Sequence, residues 1–425
     1  MSEATQPRMA LGTKLPAAIV ATALFALLAF APFASAAADP VASGSATVTL
    51  NNGFVKTLKK KGVKISKIGA AKLKGKKATF PVTGGEIDPT NGLGTLNLGG
   101  GLQFKHGKKK APLKAIVINT AKKGLYGKVG GKRVKVANIA GYSFARAGFG
   151  LSLAINKLKL TNAAAKQFNK KLGFKKGPKP FKGNRLMAKA TAEEQPSTVT
   201  ILPGGNVSFN ADLELLKKLE DVETFASTIA PTTEKGKGNY ELPISGGSIS
   251  PVATAGVVQT SGGLLLSQKL PTSPTTALET EITLGNFYVD LSAKTISVEV
   301  VAKSNASESL NLGNLGRSSI ADLTLTGATV SADAAARTVT VKDASATLQP
   351  VAAEVLEGFV KVYQAYYEAG VYAAVCAGLP EKCKEPAEQE FAKAKAKEEA
   401  EKKVEKDHIS AGNPLGTFSF TAQTQ

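Results

Sequence analysis

The decimer FPVTGGEIDP (residues 80–89) decides the fold, because it returns as LPISGGSISP at 242–251. The register then runs on without a gap. Gly94 matches Gly256, and Gly100-Gly101-Leu102 matches Gly262-Gly263-Leu264. What both copies keep are turn-forming glycines and prolines with apolar residues between them. What changes are the groups that could do chemistry: Glu86 becomes Ser248, Asp88 becomes Ser250 and His106 becomes Gln268. A glycine-rich phosphate loop leads into a helix N-terminus, whereas Gly99-Gly100-Gly101 leads into a strand-like run. The stretch therefore reads as scaffold.

Working outward, both copies open on Thr-Val-Thr, at Thr47 and Thr198, and they close alike. Leu160-Thr161-Asn162 parallels Leu348-Gln349-Pro350, and Gly183-Asn184 parallels Gly412-Asn413. The offset grows from 188 to 229 residues between these landmarks, which places a 41-residue insertion at about 356–408. Many short strands with turn signals, in the first copy at about 79–82, 95–98, 101–104, 113–119, 125–129, 149–155 and 186–192, predict an all-β architecture, sandwich-like or barrel. Two tandem domains are expected, at 39–192 and 193–425, each with short helices and the second with an inserted α-helical hairpin. Asn52 is expected to cap a helix carrying Phe54 and Leu58. Thr161 or Asn162 should cap another that stops at Gly173. In the insertion, a helix from Pro350 carries four of the eight tyrosines (Tyr363, Tyr366, Tyr367 and Tyr372). That cluster either packs on the sheet or binds a ligand or a protein partner. Cys376 and Cys383 flank the turn at 378–380 and are expected to form a disulfide.

Residues 1–36 have the order of a secretory signal peptide: Arg8 and Lys14, an apolar run, then Ala34-Ser35-Ala36. Secretion, with residence at the cell envelope, is the expectation. Charge is split along the chain. Residues 37–192 hold 33 Lys and Arg against three acids, a net of +30, while residues 193–425 hold 19 against 29, a net of −10. A field this one-sided attracts polyanions such as wall polymers or anionic lipid. Nucleic acid fits less well, because basic stretches lack the interleaved aromatics of a single-strand platform. No nucleotide, zinc-protease or nucleophile-elbow motif occurs. Glu86 and Asp88 sit at i and i+2 in a turn, where contact with lysines is the expected role. The chain reads as non-enzymatic, with no catalytic residue and no metal set.

The repeated F-P-[VI]-[TS]-G-G-x-[IL]-x-P element, the G-G-L-x-F strand and the histidine after it resemble the heme-transport-associated (HtaA) domain. That family occurs in tandem in secreted and surface-anchored actinobacterial proteins. The resemblance implies a binding protein of the cell surface, and heme as cofactor with His106 as the residue concerned. It also implies an iron-ligating tyrosine in the first strand-and-helix region, yet residues 40–125 contain no Tyr.

Overall fold

The computed structural model describes residues 38–175, 177–378, 383 and 386–425. Residues 1–36, where a signal peptide is expected, and the turn expected at 378–380 lie wholly or largely outside the described residues.

The first lobe runs β1 (Asp39–Leu50), α1 (Asn52–Lys60), β2 (Val63–Ile68), β3 (Lys72–Lys74), β4 (Lys77–Ile87) and β5 (Gly94–His106). It continues with β6 (Lys109–Asn119), β7 (Gly124–Val129), β8 (Lys132–Ile139), β9 (Tyr142–Ala147), β10 (Gly150–Leu160), α2 (Asn162–Leu172) and β11 (Leu186–Pro196). The strands β5-β6-β7-β8-β10-β11-β1-β4 pair in that order, and β4 pairs back onto β5. Eight antiparallel strands thus close on themselves, which removes the free edges of the ring itself and leaves β2 and β3 as outer strands hung on β5 and β4.

The second lobe comprises β12 (Val199–Thr200), β13 (Asn206–Ala211), α3 (Leu213–Asp221), β14 (Thr224–Ile229), β15 (Thr233–Gly236), β16 (Asn239–Ile249), β17 (Gly256–Thr260) and β18 (Gly263–Ser273). There follow β19 (Thr276–Asp290), β20 (Thr295–Ser304), β21 (Gly313–Thr324), β22 (Thr329–Asp333), β23 (Thr338–Leu348), α4 (Pro350–Gly378), α5 (Pro386–Val404) and β24 (Pro414–Gln423). Here the ring is β16-β13-β24-β23-β21-β20-β19-β17, with β17 returning to β16. The chain is mostly strand, as the turn-rich sequence predicts.

Each ring holds its own apolar core. In the first, α1 and α2 bring Phe54 and Phe168 against Phe80, Phe104 and Phe181, all at most 2% exposed. Phe168 stacks on Phe181 at 4.7 Å and meets Phe104 edge-on at 4.9 Å. In the second, Phe209 stacks on Phe418 at 4.6 Å beside Phe287. The shared glycines serve close backbone approach. Gly100 and Gly262 have φ of +81° and +80°, and a Cβ would lie 2.7 Å from the carbonyl oxygens of Ile68 and Ile229 respectively. Only glycine accepts both the angle and the contact.

Three expectations need correction. The opening Thr-Val-Thr match is out of place. Thr47 lies in β1 just before α1, whereas the strand just before α3 is β13, with Val207 opposite Leu242 as Ala46 is opposite Phe80. Val199-Thr200 forms only the two-residue β12. The cap of α1 is Asn51, whose side chain accepts from the Phe54 amide at 3.2 Å, not Asn52. Residues 95–104, expected as two strands, form the single β5, because Gly99-Gly100 makes a bulge instead of a turn. The helical insertion, placed at about 356–408, continues a helix whose start both lobes share. Where α2 ends at Gly173, in the left-handed region, α4 runs on for 29 residues. The α5 partner packs Ala392, Ala396, Ala400 and Val404 inward at a four-residue spacing.

The lobes meet through the β9–β10 turn. Phe149, 6% exposed, belongs to the second lobe's core, and a Cβ on Gly148 would lie 3.1 Å from that of Ala334. The Ser197 amide bonds the Pro40 carbonyl at 2.7 Å.

Candidate functional site

His106 ends β5, opposite Val63 on β2 and Lys109 on β6. It is half-buried, which differs from the exposed hairpin position its lysine-rich neighbours predict. Its Nδ1 lies 3.1 Å from the Leu172 carbonyl at the end of α2. A carbonyl can only accept, so Nδ1 carries the proton. The ring stacks on Phe174 at 4.3 Å. Gln268 occupies the same place in the second lobe, opposite Thr224. Its Nε2 donates to the carbonyls of Val222, after α3, and Phe359, in α4, at 2.8 and 3.0 Å. Imidazole and amide therefore do one job, tying a strand end to a helix.

Asp88, expected to contact lysines, shapes its own turn instead. It accepts from the Thr90 amide at 2.8 Å and from Thr90 Oγ1 and Asn91 Nδ2 at 2.6 Å each. Ser250 does the same through the amides of Thr254 and Ala255. On α4, Tyr363 is buried in the core and Tyr366 donates to the Pro271 carbonyl at 3.0 Å, while Tyr367 stacks on Tyr363. Cys376 and Cys383 are bonded to each other, with Cα atoms 5.5 Å apart. His408, just after α5, meets Glu357 of α4 at 2.7 Å and so clamps the base of the hairpin.

Sequence reasoning missed a polar cluster where the lobes meet. Asp39 and Glu194 are 4% and 3% exposed, and each keeps one carboxylate oxygen without a partner in the protein. Burial, and then the Asp39 charge, pushes Glu194 up to about 7; burial raises Asp39 as well. Thr200 Oγ1 reaches Asp39 at 3.4 Å across the junction. Arg146, beside them, donates to the Phe149 carbonyl at 3.3 Å. The two carboxylates are 155 residues apart in sequence, and only the β1–β11 pairing brings their strands together.

The basic surface carries a second property not legible in composition. Every ion pair among the described residues lies in the second lobe or its hairpin. Among the described residues, no first-lobe lysine or arginine has a carboxylate within 4.0 Å. Nor does any group of three or more His, Cys, Asp or Glu there suit a metal ion, and no helix is long and apolar enough to cross a membrane.

A family model described as Htaa matches residues 222–370, from the end of α3 into α4. That stretch of the second lobe is therefore similar to the HtaA domain. Among solved structures, the C-terminal domain of HtaA from Corynebacterium glutamicum is similar at 14% identity, over 37% of this chain and 98% of that one, with a TM-score of 0.30. No curated protein matches the chain. The HtaA family is linked to heme, so the residues present can be tested against that group. His106 is engaged by Leu172 and Phe174, and Gln268 is no iron ligand. Burial pushes the Tyr240 phenol up to about 12, which opposes the phenolate an iron(III) centre needs. Two cavities stand out, an apolar one inside the first barrel of about 20 Å³ and one beside α3 of about 60 Å³, far below the size of a porphyrin. These residues do not fit the group.

Proposed function

We propose that the chain is a non-enzymatic binding protein of the cell envelope, built of two HtaA-type domains, whose basic lobe docks on anionic wall or membrane polymer. The observation that carries this is the unpaired state of the first lobe's cations. A merely solubilising surface intersperses both signs. Here the first lobe carries a net of +30 with no carboxylate within 4.0 Å of its described lysines and arginines, while every ion pair among the described residues lies in the acidic half. The shared register of the two lobes, and the equivalence of His106 with Gln268, support reading the first as a relative of the matched second. The signal-like segment and the envelope association of the family support the location. The helical hairpin, stapled at both ends, offers a rigid arm to a protein partner.

Co-sedimentation of the full chain with purified anionic wall polymer, at rising NaCl, tests the docking. Binding at low salt that falls steeply as the Debye length shrinks is expected. No binding at low salt, or binding indifferent to salt, defeats it. A second reading, heme association, is favoured by the family of the matched segment. A hemin titration decides it: a Soret shift at micromolar hemin that disappears in His106→Ala would support heme and displace the account of His106 given above.

A further inference from the structure

The lysines of the first lobe are not scattered. Strand register sets Lys64 of β2 opposite Lys105 of β5, and Lys105 opposite Lys110 of β6. Four residues along β6, Lys114 stands opposite Lys128 of β7, and Lys128 opposite Arg133 of β8. All six are exposed, while Phe104, Ala111, Leu113 and Val129 between them point inward. Like charges directly opposite one another destabilise a sheet, and here four such pairs follow in succession.

The second lobe supplies an internal comparison at the same rungs. Phe225 faces Ser267, and Ser267 faces Glu281; Gly285 faces Glu299, and Glu299 faces Arg317. There the one rung charged on both sides pairs opposite signs. The same frame therefore tolerates attractive rungs, and the first lobe carries repulsive ones.

Resting on the polyanion reading above, we propose that this cationic ladder is the docking track for one extended, base-free polyphosphodiester of the cell wall, laid across β2, β5, β6, β7 and β8. Charge complementarity argues for it. Adjacent rungs are about 4.8 Å apart, and the two rows are displaced by about 13 Å along β6. A flexible chain placing phosphates along that path relieves the repulsion at every rung. Shape argues for a chain over a bilayer, since β5, β6, β7 and β8 are neighbouring strands of a closed barrel and curve away from any plane. Ser66, Gln103 and Pro112 lie between the rungs and present no aromatic ring for a base to stack on. Tyr126, next along β7, lies under the Lys135 ammonium, 6.0 Å from its ring centre.

The test uses the full chain and purified poly(glycerol phosphate), with affinity measured against NaCl concentration. Changing Lys64, Lys105 and Lys110 together to Gln should lower the log–log salt slope by about 2, at roughly 0.7 per contact on a flexible polyanion. Changing Lys157, Lys182 and Lys189, around β10 and β11 across the barrel, removes equal charge and should leave the slope unchanged. Equal losses in both triple variants overturn the ladder and leave general polyanion docking standing. Absence of binding by the unaltered protein overturns both. Lys128→Glu, which puts a carboxylate between Lys114 and Arg133, should raise Tm while weakening binding at least about tenfold. Unchanged affinity, or a lowered Tm, overturns the proposal. So does ladder-dependent binding of phosphatidylglycerol vesicles or oligothymidylate as tight as that of the polymer.

Discussion

At the scale of single residues, the duplicated position at His106 and Gln268 separates bracing from ligation. The Nδ1–H bond to Leu172 contributes about 1 kcal/mol, and the ring contact with Phe174 adds to it. His106→Gln, which restores what the second lobe uses, should leave thermal stability nearly unchanged. His106→Ala should lower it by about 1–2 kcal/mol in denaturant unfolding. Glu194 gives a pH signature. Its folded pKa of about 7 lies above the ordinary 4.5, so between those values the folded chain holds a proton that the unfolded chain has lost. Stability is then fully present below about pH 4.5 and falls as pH rises to about 7, by up to about 1.4 kcal/mol per pH unit. Glu194→Gln should flatten that slope in melts taken from pH 4.5 to 7.5. His106 could be singled out from sequence because an imidazole is conspicuous. Glu194 could not, since nothing local tells that its strand runs beside β1 and ends against the other lobe.

Among the elements, helices were the easier to read, because their signals are local. Thr161 accepts from the Ala164 amide at 3.1 Å and Gly173 ends α2, both as predicted. The hairpin was visible from Pro350 and its apolar face. Strands β2, β3, β8 and β9 escaped notice, because lysines or exposed polar residues break their alternation. The buried face of α5 is a line of small residues, Ala392, Ala396 and Ala400, ending at Val404. Ala396, fully buried, has no room for a larger group. Ala396→Leu should cost about 1–3 kcal/mol by overpacking, read as earlier loss of helical circular dichroism on heating, with strand signal retained.

For the molecule as a whole, composition announced the charge split but could not disclose its arrangement. Whether two lysines repel across a rung depends on register, which only the folded barrel fixes. The position of Phe149 was equally hidden, since it reads as the first residue of an ordinary strand and yet completes the neighbouring lobe's core. The strands at the ends of the hydrogen-bonded paths differ between lobes in a way that bears on colloidal behaviour. In the first, β2 and β3 carry Lys64, Lys67, Lys72 and Lys74; in the second, β14 reads TFASTI, without a charge, and leaves Phe225 52% exposed. Lysines on an outer strand discourage another chain from adding to it, and an uncharged apolar one invites it. Crowded solutions of this protein should therefore self-associate through the acidic lobe, despite its being the better paired half. Phe225→Lys should raise the concentration at which light scattering sets in, and an equal substitution on β2 should not.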